Sequence, residues 1–323
     1  MIRQFIFCVV VAIGAPVFAA PQPNLSIDTV NASDKTPAVS AKSRGPAVLR
    51  AQILLDRAHY GVGEIDGGFG SNMRAAITGF QRKRGLEQTG AIGKQTWAAL
   101  NEDQAPALIN YTIQDADVAG PFEPIPTDMM EKANLQALSF ATPLEGLAEK
   151  FHASPALLKR LNPGKDFTRA GEQIVVPNVL DTEPLPKAGR VVVSKAQHTL
   201  TLFDTTGQEI AQFPASTGSE HDPLPIGTWA IKLISERPVF FYNPQLFWDA
   251  TPGHQKARIA AGPNNPVGLA WLELTKPHYG IHGTPEPSGI GKTQSHGCIR
   301  VTNWDVTALL KSVPTGTEVV LEE

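Results

Sequence analysis

Ser295-His296-Gly297-Cys298-Ile299-Arg300, near the C-terminus, is the stretch on which the reading of this chain turns. The sequence holds two cysteines, Cys8 and Cys298. An isolated cysteine is most often a small buried hydrophobe, so its neighbours must argue for chemistry. A free thiol titrates at about 8.5, and attack at neutral pH therefore needs a nearby base or positive charge. His282 and His296 are the candidates. His296, two residues before the cysteine, would share its face in a regular strand. The intervening Gly297 predicts a tight turn instead, in which the backbone N–H groups of His296, Gly297 and Cys298 converge beside the sulfur and suit an acyl oxyanion. His282 ends an apolar strand upstream, approaches from the neighbouring strand and is assigned as general base.

Outward from this site the texture is β. Val191-Val192-Val193, Thr199 to Phe203, Trp229 to Leu233 and Gly316 to Leu321 read as strands, with Thr206-Gly207 as a turn. One helix is expected from Asn303 to Leu310. Two further blocks accompany the cysteine. Ser216-Thr217-Gly218 is followed by Pro225-Ile226-Gly227-Thr228-Trp229, and Gly262-Pro263-Asn264-Asn265-Pro266-Val267-Gly268 follows later. Arg300 shares a face with Cys298 if a strand follows the cysteine. Its guanidinium then either grips a carboxylate bidentately or forms a structural ion pair. Tyr279 and Trp271 either line a donor groove or, as is commoner for aromatics beside a strand, belong to the core, and they stay outside the catalytic set.

The run from Tyr279-Gly280-Ile281-His282-Gly283-Thr284 to Ser295-His296-Gly297-Cys298-Ile299-Arg300, with the other two blocks, resembles the L,D-transpeptidase catalytic domain. The resemblance covers 188–323 and implies a mixed-β, sandwich-like domain. It implies acyl transfer in the cell wall, with Cys298 attacking the carbonyl between the L-centre of a diamino acid and the terminal D-alanine of a tetrapeptide stem. D-alanine leaves, and an amine on a second stem or on an anchored outer-membrane protein or lipoprotein resolves the thioester. By the same resemblance, His282 is the base, the Gly283 carbonyl orients it, and the amides of His296, Gly297 and Cys298 hold the oxyanion. Arg300 and Ser295 are assigned to the substrate. No metal or other cofactor is expected. Rival readings are a zinc hydrolase using His278, His282, His296 and Cys298, a hydrolase on the same scaffold in which water resolves the thioester, and a noncatalytic wall-binding protein. The zinc reading lacks the helical His-Glu-x-x-His frame that would supply an acidic base.

The N-terminal half reads as accessory modules, making the chain multidomain. Residues 1–19, with Arg3, an apolar run from Phe5 to Ile13 and small residues through Ala19, have the layout of a signal peptide. Export to the periplasm and a cell-wall association follow, with no membrane span expected. Residues 20–45, rich in Pro, Asn, Ser and Thr, read as a flexible tether. Between 46 and 101, helical spacing of Val48, Ala51, Leu55 and Ala58 and of Met73, Ala76, Ile77 and Phe80 predicts a small three-helix domain, with Ser71 as an N-cap and Gly85 as a stop. Through Gly67-Gly68-Phe69-Gly70, Phe80-Gln81, Gly85-Leu86 and Thr96-Trp97-Ala98-Ala99-Leu100 it resembles the peptidoglycan-binding domain, though Thr89-Gly90 stands where that family often has Asp-Gly. Residues 111–179 form a small α+β, lysin-motif-like segment. Pro143 to Phe151 and the start at Ser154-Pro155 give two helices, Gln173 to Pro177 a strand, and Tyr111-Thr112-Ile113 a first strand displaced by a long insertion. That resemblance implies binding to N-acetylglucosamine-containing glycan. A net charge of −3 without a dense Lys/Arg run gives a nucleic-acid partner no electrostatic support.

Overall fold

The computed structural model describes residues 25–180 and 182–323. The expected signal peptide lies outside them. The expected tether is corrected from residue 25 onward. Ile27–Asn31 is a helix (α1) capped by Ser26, and Val30 and Val39 are fully buried. Sparse as they are, these apolar residues seal a core that α1 shares with the helices behind it: α2 (Pro46–Arg57), α3 (Ser71–Lys83) and α4 (Lys94–Leu100). Ser71 is the first helical residue of α3 and not its cap, because the extended Gly70 takes the capping position. Gly85 ends that helix in a left-handed turn, as expected, with φ of +64°.

The middle segment opens with strand β1 (Leu108–Thr112), paired antiparallel with β2 (Gln173–Pro177). The displaced first strand therefore exists, three residues upstream of its expected start. Between the two strands lie α5 (Met129–Lys132), α6 (Pro143–Lys150) and α7 (Pro155–Leu161). Thr142 and Ser154 cap α6 and α7, each with Pro at the first helical position, where no amide hydrogen is missed. One continuous apolar cluster runs from Leu25 to Val179. The two expected N-terminal domains thus share a single core, because neither short helix set alone can bury its apolar face.

The third unit has its own core. Its strands are β3 (Ala188–Ser194), β4 (Thr199–Asp204), β5 (Glu209–Pro214), β6 (Gly227–Glu236), β7 (Phe240–Tyr242), β8 (Ala257–Ile259), β9 (Ala270–Leu274), β10 (Gly280–His282), β11 (Ile299–Arg300) and β12 (Glu318–Glu322), with helix α8 at Asn303–Ser312. Eight of them form one sheet in the order β11-β10-β9-β6-β12-β3-β4-β5, whereas β7 and β8 pair only with each other. The domain is mixed-β as expected, and its layers are parts of one sheet. The first half of β6 pairs with β12 and its second half with β9, with a bulge between Ile231 and Leu233. A bulge bends its strand, so one continuous mixed sheet turns at β6, and α8 packs on β9 and β10.

The helical unit covers the outer strand β5. Gly61 N donates to Gln212 O at 2.8 Å, Gln212 N donates to His59 O at 2.9 Å, and Arg82 clamps Glu209 with two bonds of 2.7 and 2.9 Å. An open strand edge is thereby closed. Deeper in the same junction, α2, α6 and α8 bring together Asp56, Glu149, His152 and Asp305 along a cavity of about 660 Å³. His152 bonds Asp56 at 2.9 Å and stacks on Trp304. Burial pushes the Glu149 and Asp305 carboxyls up to about 7.

Candidate active site

The parallel pair β10–β11 builds the site. Ile281 faces Ile299 and His282 faces Arg300 in register. Cys298 immediately precedes β11, so the sulfur and the imidazole belong to adjacent strands. Gly297 adopts a φ of +95°, and a Cβ there would approach the Tyr279 ring to 2.7 Å, so only glycine makes this turn. The turn inferred from the sequence is present. Block one forms its far wall: Ser216 and Arg300 exchange both backbone hydrogen bonds at 2.9 Å, and Ser295 N donates to Thr217 O at 2.9 Å.

His282 is buried, and its Nδ1 lies 2.7 Å from the Gly283 carbonyl oxygen. A carbonyl only accepts, so Nδ1 carries the proton and Nε2 keeps its lone pair. Trp271 stacks on the ring with centroids 5.5 Å apart. Burial, with a smaller push from the Arg300 charge, lowers the imidazole to about 4. Cys298 is half-buried and its Sγ donates to His278 O at 3.7 Å. Burial pushes the thiol up to about 11, against the opposing pull of the Gly280 amide and Arg300. Both shifts favour the uncharged forms, a thiol and an imidazole, at neutral pH.

Gly283 is fixed from behind. A Cβ at Gly283 or Gly268 would meet Asn303 Oδ1 at 2.2 or 2.1 Å. That same oxygen accepts from Leu269 N at 3.0 Å, and Asn303 Nδ2 donates to Pro263 O at 3.1 Å. Asn303 therefore ties the second block to the base-bearing strand. Sequence reading passed over it, and over Ser216. The only signal was the company of two glycines that tolerate no Cβ, which requires the tertiary contact to interpret.

Three expected roles fare differently. The His296 side chain is exposed and turned outward, its Nε2 donating to Asp249 at 2.9 Å with Phe247 edge-on at 5.1 Å, so only its backbone amide remains for the oxyanion. Ser295 is corrected as a substrate ligand. It is buried, and its hydroxyl donates to the Cys298 carbonyl at 2.5 Å, where it closes the turn. Arg300 bonds Thr293 Oγ1 and the Gln294 carbonyl. It makes no ion pair among the described residues, and its buried Nε lacks a partner. The structural ion pair is therefore not what occupies it. His278 sits in a tight turn at φ +69°, and among the described residues no three His, Cys, Asp or Glu side chains group as metal ligands.

The sequence model of the L,D-transpeptidase catalytic domain matches 188–321, and that of a peptidoglycan binding domain matches 44–100. The chain is 33% identical over 178 residues to the L,D-transpeptidase YkuD of Bacillus licheniformis, covering 54% of this chain and 91% of that one. It is 30% identical over 183 residues to the L,D-transpeptidase ErfK/SrfK of Escherichia coli K12, covering 55% of this chain and 58% of that protein. A crystal structure of an L,D-transpeptidase from Xylanimonas cellulosilytica aligns over 89% of this chain and 98% of that one, at 18% identity and a TM-score of 0.38, too distant to argue from. The sequence match to YkuD spans nearly all of that protein, and on that ground the chain belongs to the L,D-transpeptidase family.

Proposed function

We propose that this enzyme transfers the acyl group of a peptidoglycan tetrapeptide stem through a thioester on Cys298. The observation that carries the proposal is the 2.7 Å hydrogen bond between His282 Nδ1 and Gly283 O: with Nδ1–H spent there, Nε2 is left to accept a proton on the strand beside the cysteine. As Cys298 Sγ attacks the carbonyl before the terminal D-alanine, its proton passes to His282 Nε2. The amides of His296, Gly297 and Cys298 stabilise the oxyanion. Collapse of the intermediate returns the proton to the departing D-alanine amine and leaves the thioester. An acceptor amine then attacks, loses a proton to His282 and regenerates the thiol. Arg300, which has no acidic partner among the described residues, holds a stem carboxylate.

The acceptor is an amine of a second stem or of an anchored outer-membrane protein or lipoprotein. The helical unit and the lysin-motif-like strands and helices hold glycan near the site, and the enzyme works exported, in the periplasm, against the wall. Mass spectrometry of products from a disaccharide-tetrapeptide tests the reading. D-alanine release with a cross-linked dimer or amine adduct is expected, and tripeptide alone would mean that water resolves the thioester. Cys298→Ser should abolish turnover and leave wall binding intact; retained turnover refutes the nucleophile.

A further inference from the structure

The hairpin of β7 and β8 and the insertion 113–141 lie outside the strands that carry Cys298 and His282. The hairpin has three residues in each strand and joins no other strand, and a two-stranded ribbon of that size is marginal on its own. Its connection, 243–256, carries the groups that lie on His296. Phe247 and Trp248 stand with ring centroids 5.1 and 6.1 Å from that imidazole, and Asp249 Oδ1 accepts from it at 2.9 Å. His221 stacks on Trp248 at 4.4 Å from the loop after the first block. The connection therefore caps the turn that presents Cys298, two residues beyond His296.

The middle segment packs against this cap and its hairpin. Leu138, Tyr242 and Ile259 form a buried apolar cluster separate from both main cores, with Ile125, Met129 and Leu135 packed on it from the insertion and Phe247 from the cap. Leu138 N donates to Ala261 O at 3.0 Å and Leu138 O accepts from Asn264 N at 3.0 Å. A Cβ at Gly262 would come within 2.1 Å of that carbonyl, which explains the glycine opening the second block. A polar latch completes the contact. Asp128 Oδ1 caps α5 through Met130 N and Glu131 N at 2.8 and 3.1 Å, while Oδ2 accepts from His254 Nε2 at 2.9 Å. His254 Nδ1 meets the Tyr242 hydroxyl at 3.0 Å, and its side chain is only 10% exposed.

We propose that the insertion is a brace for the cap, and that Asp128 and His254 are positioning residues holding Phe247, Trp248 and Asp249 over the cysteine turn. The middle segment thereby sets how tightly a stem peptide is held. The kinetic part of this inference rests on the acyl-transfer reading; the structural part does not. Both are tested on the full chain by hydrogen exchange and by steady-state kinetics with a disaccharide-tetrapeptide. A hydrogen bond to a charged group is worth about tenfold in an equilibrium. In His254→Ala the amides of 240–260 should exchange about tenfold faster and KM rise by up to about tenfold, with kcat and the exchange of β3 and β4 unmoved. His254→Gln, which still offers Asp128 an N–H, should restore most of both effects. Asp128→Asn, which keeps an oxygen for the α5 cap but turns an amide toward His254, should loosen the same peptides. Unchanged exchange in His254→Ala, faster exchange with unchanged KM, or a His254→Gln as loose as His254→Ala overturns the proposal. A wild-type protein inactive on tetrapeptide would count against acyl transfer and leave exchange alone to decide the brace.

Discussion

Titrating Cys298 separates two ways of making a thiol attack. A preformed thiolate–imidazolium pair would hold the cysteine anionic at neutral pH. A neutral thiol and a neutral imidazole, the forms that burial favours here, make the thiolate scarce and let His282 take the proton only as sulfur attacks carbon. The thiol is pushed from an ordinary 9.0 to about 11, and two units mean about 100-fold less thiolate at pH 7. A more basic thiolate is the better nucleophile, and a Brønsted slope of about 0.4–0.5 returns nearly tenfold over those two units. Reaction with a neutral pyridyl disulfide at pH 7 should therefore run about tenfold slower than with a free cysteine. The rate should climb with pH toward a midpoint near 11. The kcat/KM for tetrapeptide should behave differently. It should rise as His282 loses its proton at about 4 and then hold level through neutrality. Stopped-flow absorbance follows the disulfide reaction, and coupled D-alanine detection follows turnover. A disulfide rate already at its plateau at pH 7, with a midpoint at or below neutrality, would establish a resting ion pair and refute the reasoning.

Further outcomes follow from the same contacts. Gly283→Ala drives a Cβ into Asn303 Oδ1 at 2.2 Å and displaces the carbonyl that orients His282. Since a misplacement of ~1 Å costs about 100-fold, kcat/KM should fall by that order while the disulfide rate of Cys298 stays put; an active Gly283→Ala would remove the orienting role. Arg300→Gln should raise KM for a stem with a free carboxylate by about tenfold and leave an amidated stem unaffected, whereas equal losses on both would assign Arg300 to structure. Burial raises Asp305 and Glu149 above their unfolded values, so their contribution is fully present below about pH 4 and is lost as pH rises through about 7. Thermal melts of Asp305→Asn should lose part of the wild-type decline between about pH 4 and pH 7; an identical decline would show that this group does not titrate across the junction.

Much of the fold was legible because its signals are local. The strands around Val191, Thr199 and Trp229, the helix beginning at Asn303 and the helices of 46–101 declare themselves in periodicity and in Gly and Pro stops, and each is present in the structure. Residues 25–45 were misread because low apolar content predicts disorder on average. It says nothing of whether Val30 and Val39 find a groove on neighbouring helices. Ser295 was misread because a hydroxyl beside a nucleophile suits a ligand equally well as it suits a turn closed on its own backbone.

By itself the sequence determined the chemistry at Cys298. A thiol, a glycine that forces a turn and a histidine ending an apolar strand are chosen by residue type and spacing, and those survive in one dimension. Tertiary structure decided the rest: the neutral state of the thiol and imidazole, the hold of Asn303 on Gly283, the outward turn of His296 and the brace from the insertion to the cap. Each depends on burial or on contacts between residues far apart in the chain. Desolvation and close approach are properties of the space around a group, and no run of neighbours along the chain records them.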